Sequence, residues 1–255
     1  MDLIKSTTNA RIKEARKLQQ KKYRDASETY LIEGFHLLEE ALKSGVEIRQ
    51  IWVEQAHLVR LSNLTAAQTA TKTLSNLTTP VTSEVLKALS ETQSPQGVVS
   101  EVVKSDRTDF EPGRVLILEN IQDPGNVGTM IRTADAAGFD AVYTVESADI
   151  YSSKALRSMQ GSHFHLPVIP TINLSELVTQ LQNAHLKILT TTLSADSVPY
   201  QSIQEERFAL IMGNEGAGVS QVALKAADLK VHIPMPGHAE SLNVAVAAGI
   251  LMFAL

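Results

Sequence analysis

Residues 231–251, Val231-His-Ile-Pro-Met-Pro-Gly-His-Ala-Glu-Ser-Leu-Asn-Val-Ala-Val-Ala-Ala-Gly-Ile-Leu251, decide the reading of this 255-residue chain. A strand ends at Ile-Pro-Met, a Pro-Gly turn follows, and Ser241 is placed to cap a helix beginning near Leu242. That helix is almost wholly apolar and rich in Ala and Gly, so it is expected to be buried with close backbone contacts. Asn243 is the one polar side chain near its start. Inside a core such an amide needs hydrogen-bond partners.

Two earlier loops have the same strand–turn–helix grammar. In Phe208-Ala-Leu-Ile-Met-Gly-Asn-Glu-Gly-Ala-Gly-Val-Ser220 the glycines 213, 216 and 218 let a ligand approach the backbone closely. Their spacing is not the GxGxxG of dinucleotide sites, and no Lys follows as in a P-loop. Glu215 inside the turn would repel phosphate, which suits a neutral or cationic ligand, though a plain strand-to-helix turn accounts for the same residues. In Glu119-Asn-Ile-Gln-Asp-Pro-Gly-Asn-Val-Gly-Thr-Met-Ile-Arg132 a strand runs into a tight Asp-Pro-Gly turn. Asn126 is placed to cap the next helix and Gly138 to close it. Arg132 near its second turn offers a fork of donors toward the crevice; an ordinary capped helix with a surface Arg is the plainer alternative.

Around these loops the chain alternates. Strands are expected at 114–119, 141–145, 187–192, 208–212 and 230–233, with helices near 127–137, 152–160, 175–184, 220–227 and 242–254. Apolar strands separated by helices imply a parallel sheet covered on both faces, with ligands at the carboxyl ends of its strands. Ahead of it, helices at 9–18, 35–44 and 83–90 and strands at 30–33, 48–53 and 97–103 predict a smaller α/β domain. Lys104-Ser-Asp-Arg-Thr-Asp-Phe-Glu-Pro-Gly113 is polar and aperiodic. The division is thus 1–104, a linker over 105–113, and 114–255.

There is no cysteine, so disulfides, thiolate nucleophiles and zinc ribbons are excluded. His163 and His165 alternate in an expected strand and would face one side, but lack a carboxylate partner for a metal. No metal site is expected. The polar start and the short apolar runs predict a cytoplasmic protein without a membrane span. The net charge of −5 hides an asymmetry: residues 1–30 hold eight Lys or Arg and four acids, a local +4. Such a basic lead-in, over residues 1–27, can neutralise nucleic-acid phosphates or be a solvated helix face.

Taken together, the three loops resemble the three motifs of the SpoU (TrmH-like) RNA ribose methyltransferases of the SPOUT class: Asp123-Pro-Gly-Asn-Val-Gly with Arg132, Met212-Gly-Asn-Glu-Gly-Ala-Gly218, and Ile233-Pro-Met-Pro-Gly-His-Ala-Glu-Ser-Leu-Asn-Val244. Leu31-Ile-Glu-Gly34 and Ser94-Pro-Gln-Gly-Val-Val99 are similar to pieces of the substrate-binding domain often placed ahead of them. The resemblance implies a SPOUT fold with a trefoil knot, behind a small α/β RNA-binding domain. It implies a homodimer and S-adenosyl-L-methionine as cofactor. It implies Gly213, Ile233 and Leu242, with Gly216, Gly218 and Met235, as the cofactor set. Asn126, Arg132, Glu215, Ser241 and Asn243 would form the catalytic and RNA-positioning set, with Glu215 either pairing with Arg132 or shaping the cofactor loop. The substrate expected is RNA, with 23S ribosomal RNA favoured. Transfer RNA, or a non-catalytic RNA-binding role in ribosome assembly, are the alternatives.

Overall fold

The computed structural model describes residues 2–66, 71–105 and 109–255. Residues 106–108 of the expected linker lie outside the described residues. The chain divides into two compact units, Met1–Ser105 with Tyr151–Leu156, and Asp106–Ile150 with Arg157–Leu255.

In the first unit the chain runs through α1 (Ala10–Lys17), α2 (Lys21–Ser27), β1 (Thr29–Glu33), α3 (Phe35–Ser44), β2 (Ile48–Glu54), α4 (Leu58–Ala66), α5 (Thr71–Leu77), β3 (Thr78–Val81), α6 (Ser83–Leu89) and β4 (Val98–Val103). The sheet order is β1-β4-β2-β3; β4 pairs antiparallel with both neighbours, and β3 runs parallel to β2. Asn9 caps α1 by accepting from the Arg11 N–H, and Ile12 and Ala15 point inward. They pack with Trp52, Val85, Leu86, Leu89 and Val99 into one core. Gly45, with φ +71°, ends α3 in the left-handed conformation that glycine adopts without strain.

From there the chain continues with β5 (Arg114–Glu119), α7 (Pro124–Ala136), β6 (Ala141–Val145), α8 (Ser153–Met159), whose first four residues belong to the first unit, β7 (Val168–Thr171), α9 (Leu174–Asn183), β8 (Lys187–Thr191), β9 (Val198–Pro199), β10 (Phe208–Met212), α10 (Gln221–Ala226), β11 (Leu229–His232) and α11 (Val244–Ala254). The second unit's seven strands lie in the order β7-β6-β5-β10-β8-β11-β9, every pair parallel. Every residue of β10 is buried because the strand is central and both faces are covered. On one face Leu177, Val178 and Leu181 of α9 pack on Val115, Ile117, Ile188, Ala209 and Ile211. α11 packs on α7, where Gly249 lies against Thr133.

α11 departs from expectation. Val244, Ala245, Ala248, Leu251 and Met252 are buried, but Val246 is 53% and Phe253 68% exposed in the single chain. One side of an all-apolar helix is therefore uncovered. The strand expected around His163 and His165 is also corrected. Ser162–Phe164 is a 3₁₀ turn, which sends the two rings into different surroundings. His165 is exposed, with Nδ1 3.0 Å from Asp135 Oδ2, whereas His163 is half-buried, with its Nδ1 shut off from solvent. Burial first, and the like charge of His165 second, push the His163 imidazole down from 6.5 to about 3.

That depression makes a prediction. As pH falls below the ordinary histidine value, the unfolded chain takes up a proton at residue 163 that the folded chain refuses. The contribution is complete above pH ~6.5 and declines toward pH ~3, by up to about 1.4 kcal/mol per pH unit. Urea midpoints measured across that window should fall more steeply for the wild type than for His163→Asn; equal slopes would contradict the assignment.

Candidate active site

The carboxyl ends of β5, β10, β8 and β11 open on one edge of the parallel sheet, where ligands of such sheets sit. After β5, Asn120 takes a left-handed φ of +55° and turns the chain toward α7. Asp123, not Asn126, caps α7: its Oδ1 accepts from the Asn126 N–H at 2.9 Å, with Pro124 at the first helical position. An Asp-Pro pair is a strong start signal because proline lacks the N–H that would go unbonded there. The cap by Asp123 releases the Asn126 side chain for other work.

After β10 the chain folds back on itself. Asn214 and Gly218 exchange both backbone hydrogen bonds, at 3.0 and 2.9 Å. Asn214 Oδ1 accepts from the N–H groups of Gly216 and Ala217, and its Nδ2 donates to the Asn120 carbonyl at 3.0 Å. One amide thus shapes the glycine loop and ties it to the neighbouring loop. Gly213 sits beneath the return of this loop. A Cβ there would lie 2.4 Å from the Gly218 carbonyl carbon and 2.5 Å from the Val219 nitrogen, so no side chain fits. The nearly buried carboxylate of Glu119 receives the Ser220 N–H at 2.9 Å and anchors the far end.

After β11, α11 starts at Val244, two residues later than expected. Asn243 caps it, accepting from Ala245 and Val246. Ser241 therefore does not cap, and Asn243 is exposed rather than inside the core. The reason is local: an Asn carbonyl reaches two free N–H groups as well as a serine hydroxyl would. Asn243 Nδ2 also donates to Asn126 Oδ1 at 3.3 Å, and Asn126 Nδ2 to Glu215 Oε1 at 2.8 Å. Asn243, Asn126 and Glu215 thus form a chain that links all three loops. Glu215 pairs with Asn126, not with Arg132. Arg132 is exposed on α7, and among the described residues its guanidinium has no hydrogen bond or ion pair.

A cavity of about 640 Å³ opens beside this chain. Gly213, Glu215, Gly216, Gly218, Ile233, Met235, Ser241 and Leu242 all line it; Asn126, Arg132 and Asn243 do not. Thr191, Thr192 and Leu193, at the end of β8, complete the wall. The sequence reading passed over them because that turn carries no glycine or capping signal. It also passed over Asn214, whose place just after a strand-ending glycine is the available cue. No Lys or Arg lines the cavity, whereas Glu215 and Glu240 do. Its volume suits a nucleoside-sized ligand. The carboxylates favour a cation and oppose a polyphosphate, and the glycine cradle offers backbone donors and acceptors.

Residues 113–253 match the SpoU rRNA Methylase family, and residues 9–100 the MRM3-like substrate binding domain. The chain is 42% identical to the 23S rRNA (guanosine(2553)-2'-O)-methyltransferase RlmP of Bacillus subtilis, over 100% of this chain and 99% of that protein. Among solved structures, an AdoMet-bound rRNA methyltransferase from Sinorhizobium meliloti superposes with a TM-score of 0.85 at 31% identity, covering 99% and 96% of the two chains. The SpoU methyltransferase AviRb of Streptomyces viridochromogenes, in complex with AdoMet, gives 0.83 at 26% identity over 96% of each. Matched over its cavity-bearing unit by the family itself, and end to end by these relatives, the chain belongs to the SpoU rRNA methylase family.

Proposed function

We propose that this chain transfers a methyl group from S-adenosyl-L-methionine to a ribose 2′-hydroxyl of RNA, and that its substrate is a guanosine of 23S ribosomal RNA. The observation that carries the cofactor is the cavity itself: a Gly213 position closed to any side chain, walls without Lys or Arg, and two carboxylates. That donor set fits an adenosine carrying a sulfonium. The full-length likeness to a 23S rRNA guanosine 2′-O-methyltransferase supports the substrate.

Bound S-adenosyl-L-methionine supplies a methyl carbon already activated by the positive sulfur. The chain's own task is then alignment and removal of one proton. Gly213, Gly216, Gly218, Ile233, Met235 and Leu242 hold the cofactor, largely through backbone atoms. Asn126, Glu215 and Asn243 lock the three loops in register, and Ser241 on the cavity wall orients the ribose. Arg132 holds an RNA phosphate beside the 2′-hydroxyl. A guanidinium stays protonated, with a pKa above about 12, so it is a poor base. The proton therefore passes to the phosphate that Arg132 grips.

The reading includes a homodimer built on the C-terminal unit, with the trefoil-knotted course of the family. The uncovered side of α11, carrying Val246 and Phe253, supports a second copy as its cover. No helix among the described residues is long and apolar enough to cross a membrane. The test is transfer of labelled methyl from S-adenosyl-L-methionine by the purified chain. Label is expected in ribosomal RNA, and a chain that binds the cofactor yet labels no RNA would refute the proposal.

A further inference from the structure

We infer that a trough in the first unit, walled by α1, α2 and the inner strands β2 and β4, holds an unpaired nucleotide of the RNA substrate. It rests on the reading that this substrate is RNA. The trough measures about 620 Å³, and the methyl-transfer site described above does not include it.

Three cations line it: Arg11 and Lys17 from α1, and Arg49 from β2. Arg49 is exposed and sits where the β2–β4 register slips between Ile48 and Gln50. Such a bulge re-aims one side chain out of the strand's alternation. Arg11 is held in place by bonds from Nη2 to Gln50 Oε1 and Thr79 Oγ1, at 2.5 and 3.2 Å. The ion pairs of Lys17 with Glu14 and of Arg49 with Glu47 are solvent-exposed and exchange readily for a phosphate. Lys13 and Arg16 on the same helix have no hydrogen-bonded or ionic side-chain partner among the described residues and extend the positive surface. This gives structural form to the +4 charge of residues 1–30.

The floor is of a different kind. Trp52 lines the trough, is 2% exposed, and its indole N–H has no acceptor among the described residues. A buried donor left unbonded is costly, and a base carbonyl or ring nitrogen is an acceptor of the right kind. Glu14 and Glu101 also face the trough, where they accept from base amino groups and oppose the phosphate chain. The Tyr23 ring lines it too, with the Lys17 and Lys22 ammonium groups each 5.7 Å from its centroid, and a base stacks on it by displacing one of these long side chains. The pattern places phosphates at the rim and a base within. A paired base has its edge occupied, so an RNA duplex does not satisfy it.

Trp52 is the only tryptophan of the chain, so all tryptophan emission comes from the floor of this trough. The full chain is titrated with an unstructured RNA oligonucleotide of mixed sequence, and with the same RNA annealed to its complement. Fluorescence anisotropy of labelled RNA is followed beside Trp52 emission. The single strand should change the emission saturably, with the same midpoint as the anisotropy, and the duplex should not. Arg49→Glu, an exposed change that leaves the fold intact, should weaken single-strand binding about tenfold and lower the salt slope by about one. Trp52→Phe, followed by anisotropy, should weaken it severalfold. RNA that binds while Trp52 stays silent, with Arg49→Glu binding as tightly as wild type, overturns the trough and leaves the RNA reading standing. A chain that binds cofactor but neither binds nor labels any RNA overturns both.

Discussion

Arg132→Ala is expected to lower the rate of methyl transfer by about a thousandfold, the range for a positioned group acting only at the reacting atoms. Cofactor affinity and stability should stay close to wild type. Arg132 is exposed, does not line the cavity, and its guanidinium has no hydrogen bond or ion pair among the described residues. Surface substitutions of that kind usually shift stability by less than about 0.5 kcal/mol. Arg132→Lys separates charge from geometry. A lysine keeps the positive charge but loses the planar fork that spans phosphate and hydroxyl together, so only part of the rate should return. Single-turnover kinetics with saturating cofactor read the effect on chemistry. Near-normal turnover in Arg132→Ala would take this residue out of the mechanism.

Gly213→Ala should have the second-largest effect, on cofactor binding. The added Cβ would meet the Gly218 carbonyl carbon and oxygen and the Val219 nitrogen at 2.4–2.5 Å. Those are backbone atoms, and the Asn214–Gly218 bond pair holds them in place. The loop must move as a unit, away from the wall it builds. Overpacking of this kind costs about 1–3 kcal/mol of stability. Affinity for S-adenosyl-L-methionine should fall about a hundredfold, or about 2.8 kcal/mol. Gly216→Ala is the control for stability. Its Cβ would meet only Asn214 Oδ1, at 3.6 Å, an ordinary contact, so its melting temperature should match wild type. Calorimetric titration checks the affinities. Unchanged affinity in Gly213→Ala would mean that the cofactor does not rest on this loop.

The central strands were legible because burial on both faces writes itself as an apolar run. Arg114–Glu119, Ala141–Val145 and Phe208–Met212 have the expected bounds. The strands passed over are β3, β7 and β9, each short, at a sheet edge and containing a proline: Pro80, Pro170 and Pro199. A proline is tolerated at an edge because its missing N–H leaves no central bond unmade, and it weakens the strand signal in the same stroke. The loops were legible as places but not as bonding patterns. Asp123 and Asn126, like Ser241 and Asn243, are pairs of competent caps close in sequence, and only the true helix start decides which one is used. The Asn126–Glu215 bond joins residues 89 apart, a pairing that no local pattern encodes. The exposed side of α11 was unreadable for another reason: an all-apolar helix has no polar face to mark which side lacks cover within one chain.

The most direct measurement is a transcriptome-free map of ribose methylation. Ribosomal and transfer RNA, separated, from cells lacking this protein are each compared with wild type, then treated with the purified chain and S-adenosyl-L-methionine, digested to nucleosides and weighed. The account predicts one 2′-O-methylguanosine missing from 23S ribosomal RNA and restored by the purified chain. A restored methyl on a base, or on transfer RNA with 23S ribosomal RNA unchanged, would contradict it.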